Sequence, residues 1–156
     1  MKKLFQLILT PIKFLTQYRL FQREEKQMTS LQIILWWEAR RVFFNMVVGI
    51  AGVITIFTML FSAMLAEKLF NEPIGWPDPP IFAIIGVVLY AIAANICYAG
   101  GWIAELISRE VWGDKAKSFA EISFTLGIVF SFFLTLLPGA FVVIVVFARF
   151  LFIQLK

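Results

Sequence analysis

Two stretches of the chain, 42–65 and 81–104, carry no charged residue over their whole length. A helix needs about 20 apolar residues to cross the hydrocarbon core of a bilayer, so both are predicted to be transmembrane helices. A third uncharged tract, 122–148, is divided by Pro138-Gly139, and Arg149 separates it from a further apolar stretch at 150–153. As one helix over 118–154 it would be ~55 Å long, nearly twice the hydrocarbon thickness. As a hairpin it gives one helix of ~30 Å and another of ~25 Å, with Pro and Gly at the centre of a tight turn. The pattern therefore predicts an all-α integral membrane helical bundle with four transmembrane helices, at about 42–65, 81–104, 118–137 and 139–155. Three spans are the alternative.

Local signals mark the edges of these elements. Thr29-Ser30-Leu31-Gln32 and Ser118-Phe119-Ala120-Glu121 read as capping boxes, and Asp78-Pro79 as an N-cap followed by proline at the first helical position. The loop 71–80 holds four prolines and is not expected to be helical. Gly113-Asp114 is placed to end the second helix. Ahead of the transmembrane domain, 29–156, lies an N-terminal segment, 1–28. At helical spacing Lys3, Gln6, Thr10, Lys13 and Gln17 fall on one face and Leu4, Ile8, Ile12 and Leu15 on the opposite one. That is the pattern of an amphipathic interfacial helix whose lysines meet anionic lipid headgroups.

Basic residues orient the spans, because cytoplasmic loops carry an excess of Lys and Arg. Eight precede the first span, Lys68 alone lies in the first loop, three lie in the second (Arg109, Lys115, Lys117), and Arg149 and Lys156 lie in the tail. Four spans put all but Lys68 inside. Three spans also put Arg149 and Lys156 outside. The N-terminus is cytoplasmic in both cases.

Composition narrows the chemistry. Of 156 residues, 61% are hydrophobic, 18 are phenylalanine, one is cysteine and none is histidine. The missing histidine removes His-ligated haem, Ser/His/Asp and Cys/His nucleophiles and imidazole proton relays. Cys97 alone closes no intrachain disulfide and reads as a small packing residue. No cofactor, metal site or phosphate loop is expected, and the aliphatic setting of the basic N-terminal residues favours a membrane surface over nucleic acid.

Polar residues inside apolar helices are costly unless they meet partners, so their clustering is the best functional signal in the chain. Glu38, Arg41, Asn45, Gly49 and Gly52 share one face of the first helix; Asn95, Tyr98, Trp102 and Glu105 share one face of the second. Glu121 in the third helix and Arg149 in the fourth complete a candidate inner-leaflet cluster. Arg149 is expected to pair with Glu121 or Glu105 or with an anionic headgroup, or else to snorkel alone to the inner surface. Two readings of the cluster stand: interhelical glue helped by small residues such as Gly49, Gly52, Ala91 and Ala99, or a site for a ligand, lipid or ion. Glu105 and Arg109 are placed for an i,i+4 pair.

Trp37-Glu38-Ala39-Arg40-Arg41 with Asn45, Ala94-Asn95-Ile96-Cys97-Tyr98 with Gly101, Trp102 and Glu105, and Phe130-Ser131 with Leu134-Thr135-Leu136-Leu137-Pro138-Gly139 resemble stretches of small bacterial membrane proteins. The resemblance covers about 30–155 and supplies no activity. It implies a bacterial inner membrane and supports a turn at Pro138-Gly139. The expected function is a non-catalytic subunit or scaffold, associating with itself or with other membrane proteins. The alternative is a small transporter, channel or lipid- or ion-binding protein; an oligomer would line its pore with Asn45, Thr55, Thr58 and Ser62.

Overall fold

The computed structural model describes residues 28–71, 81–116 and 118–155. They form three long α-helices: α1 (Ser30–Phe70), α2 (Ile81–Trp112) and α3 (Phe119–Gln154), with a 3-10 turn at Gly113–Ala116 between the last two. Among the described residues there is no strand. All three helices are long and apolar enough to cross a membrane. The expected amphipathic helix and the Asp78-Pro79 cap lie outside the described residues.

The helix ends follow local chemistry. Thr29 and Gln32 form the reciprocal capping box: the Thr29 amide donates to Gln32 Oε1 at 2.9 Å and the Gln32 amide to Thr29 Oγ1 at 3.4 Å. At the other end of α1, Asn71 turns left-handed (φ 55°) while its amide still donates to the Glu67 carbonyl at 2.9 Å. Asparagine and glycine tolerate this conformation, which is why they end helices. Gly113 (φ 52°) does the same after α2, where the sequence predicts the stop.

The four-span expectation fails at Pro138. Phe119–Gln154 is one helix of 36 residues with Pro138 inside it, not a hairpin. Excess length does not argue for a turn, because α1 is longer still at 41 residues. Helices that carry polar ends past the hydrocarbon need not match its thickness. Proline is tolerated inside apolar helices where neighbouring groups and local adjustments absorb the backbone it disturbs. Gly139 also has a packing use: a Cβ built there would lie 3.4 Å from Thr55 Cα and from Thr55 O.

Each helix contributes a segment to two compact units. One joins described residues of Met1–Asn45 to Ala93–Phe130; the other joins described residues of Met46–Ile92 to those of Ser131–Lys156. The first has an aromatic core: Trp37, Phe44, Tyr98 and Phe124 are all buried, along with Ile33, Ala120 and Ile128. The core of the second is built mainly from small residues, with Ala51, Ala63, Ala66, Thr55, Ser62 and Thr135 buried. Small side chains let apolar helices approach closely, and dispersion then replaces the hydrophobic drive that lipid cannot supply. Seven phenylalanines, Phe57, Phe61, Phe130, Phe133, Phe141, Phe147 and Phe152, are exposed.

Candidate functional site

The candidate cluster forms in the first unit, where α1 and α2 bring their polar faces together. Glu38 and Arg41, one turn apart on α1, pair at 2.6 Å, and Arg41 Nη1 donates to Asn95 Oδ1 on α2 at 3.4 Å. One turn further along α1, Asn45 exchanges two hydrogen bonds with Asn95: Asn45 Nδ2 donates at 3.3 Å and Asn95 Nδ2 at 3.0 Å. A reciprocal amide pair fixes the register of two helices because neither side chain can slide without losing both bonds.

Beside it lies a second, more deeply buried group. Glu105 is fully buried, with Oε2 accepting from Trp37 Nε1 at 2.7 Å and Oε1 from Arg109 Nε at 2.8 Å. A buried carboxylate is tolerated when each oxygen meets a donor and an opposite charge is near; both conditions hold here. Tyr98 OH donates to the Trp37 carbonyl, so α2 grips Trp37 at both its side chain and its backbone. Phe124 of α3 packs edge-on against Trp36, Trp37 and Tyr98, with centroids 5.7, 5.8 and 6.4 Å away. Edge-to-face geometry suits aromatic rings, whose edges are positive and faces negative. Gly101 makes room for the indole: a Cβ there would fall 2.7 Å from Trp37 Cη2 and Cζ3.

Of the predicted residues, Glu38, Arg41, Asn45, Asn95, Tyr98 and Glu105 thus come together. Glu121 belongs to the same unit, in the first turn of α3, where a carboxylate faces the positive end of the helix dipole. Arg149 does not join them. It lies in the other unit, with its guanidinium over the Phe70 ring at 4.9 Å from the centroid. Its expected pairing with Glu121 depended on a hairpin, and Phe119–Gln154 is one continuous helix. Cys97 is exposed rather than packed. Gly49 and Ala91 are exposed as well, and the tight approaches fall instead at Gly101 and Gly139.

Trp37 was not among the residues assigned to the cluster from the sequence. Its signal was positional: it precedes Arg41 and Phe44 by four and seven residues, on the inward face of α1. A second polar group, in the other unit, was read only as a pore lining. There Thr55 Oγ1 donates to the Thr135 carbonyl at 2.7 Å, and Thr55 and Ser62 are buried. Among the described residues no three Cys, Asp or Glu side chains are grouped to hold a metal ion. No protein family, curated protein or solved structure matches the chain.

Proposed function

We propose that this protein is a non-catalytic component of a membrane assembly, crossing a bacterial inner membrane three times with its N-terminus in the cytoplasm. The observation that carries this reading is the direction of its side chains. The polar residues of the cluster bond to one another across helices, while phenylalanine and isoleucine cover the outside of all three helices. Polar groups satisfied in this way hold helices together and leave the exterior for lipid or for other membrane helices. With three spans, Lys68, Arg149 and Lys156 fall outside and the remaining basic residues inside, which keeps the positive-inside bias.

A second reading, a lipid- or ion-binding protein using the same cluster, has one observation in its favour: Arg41 Nε is buried with no acceptor. Extraction in a mild detergent followed by intact-mass measurement separates the two. The component reading expects a stoichiometric larger protein or a defined homo-oligomer. A species that carries only bound lipid, or that conducts ions in vesicles, supports the second reading and defeats the first.

A further inference from the structure

In the second unit, α3 is weakened twice within two turns. Thr135 Oγ1 donates to the Ser131 carbonyl at 2.6 Å, the i to i−4 back-bond that bends helices. Three residues later Pro138 has no N–H to offer the carbonyl of Leu134. Both neighbouring helices reach into this weak stretch, and both bond to the same residue. Thr55 Oγ1 of α1 donates to the Thr135 carbonyl at 2.7 Å, and Tyr90 OH of α2 lies 2.6 Å from Thr135 Oγ1. A threonine hydroxyl has one hydrogen. Since Thr135 gives it to Ser131, Tyr90 must be the donor in its own contact.

We propose that 131–138 is a hinge in α3, latched in one setting by the hydroxyls of Thr55 and Tyr90. The buried core around it is mostly alanine and threonine, and the large side chains nearby, Phe57, Phe61 and Phe141, point outward. Gly139 lets the α3 backbone lie against Thr55, so the latch sits beside a close approach of the two helices. Two interhelical hydrogen bonds of ordinary strength in lipid favour the latched form by about eightfold together. That is strong enough to set the resting form and weak enough to release.

The test uses the full chain in lipid nanodiscs, carrying Cys97→Ser and spin labels introduced by Phe61→Cys on α1 and Ile144→Cys on α3. Both labelled positions are exposed in the same unit. The parent should give one narrow distance. Thr55→Val with Tyr90→Phe should raise a second distance several-fold, Thr55→Ser should keep the parent distance, and adding Pro138→Ala to the double variant should restore one narrow peak. A double variant that stays narrow overturns the hinge. So does a broadening that persists with Pro138→Ala, because it would report general loosening. Should the double variant not fold, Tyr90→Phe alone, which removes one of the two bonds, should raise the population of the second distance about threefold, and an unchanged distribution there overturns the two-hydroxyl latch.

Discussion

Trp37 is held by four separate features: a carboxylate on its indole nitrogen, a tyrosine on its carbonyl, aromatic edges around its ring and a missing side chain at Gly101. Two predictions follow from that geometry. Gly101→Ala puts a methyl group into the indole and should destabilise the fold by about 1–3 kcal/mol, as overpacking does in a close-packed core. Gly100→Ala meets nothing within 4 Å and should be neutral or raise stability, because alanine is the better helix former. Thermal unfolding in detergent compares the neighbours directly, and equal losses would contradict the packing. A double-mutant cycle with Trp37→Phe and Glu105→Leu, each of which removes the shared buried bond, should show a coupling of about 0.5–3 kcal/mol. Additive losses would mean that the bond contributes nothing. The pairing of Glu105 with Arg109 was readable from their spacing in sequence. Its bond to Trp37 was not, because the two residues lie 68 positions apart and only the packing of α1 on α2 joins them.

At the scale of elements, capping chemistry was legible and the Pro138-Gly139 step was not. Thr29-Gln32 and Gly113 act within one turn of chain, so their neighbours in sequence are their neighbours in space. Proline followed by glycine is ambiguous by the same standard: it suits a turn, and it also suits a helix whose lost backbone bond is compensated by another helix. What α3 meets there lies outside the local sequence: Thr55, 80 positions from Thr135, bonds to the Thr135 carbonyl three residues before the proline. Gly139 supplies a graded check. Alanine there would make ordinary contact with Thr55, so Gly139→Ala should be nearly neutral, whereas Gly139→Leu must push against backbone and should lose about 1–3 kcal/mol. A detergent melting series over glycine, alanine and leucine tests the order. If leucine is tolerated as well as alanine, α3 does not pack on Thr55 through this glycine.

For the whole molecule, the number of spans fixes where the chain ends. Three spans put the two termini on opposite faces of the membrane, and four would put them on the same face. Topology reporters fused before Met1 and after Lys156 should therefore read cytoplasmic and external respectively; a cytoplasmic C-terminus would restore the hairpin. The sequence by itself determined that the chain is helical and lipid-compatible, because run length and hydrophobicity are sums over neighbouring residues and need no partner. It also determined which polar residues share a helix face, through the 3.6-residue period. Only the tertiary structure decided which of those residues meet. Glu105 found Trp37, Asn45 found Asn95, and Arg149 found the ring of Phe70. The physical reason is common to all three: an interhelical bond depends on how separate helices pack, and spacing along one helix does not record that.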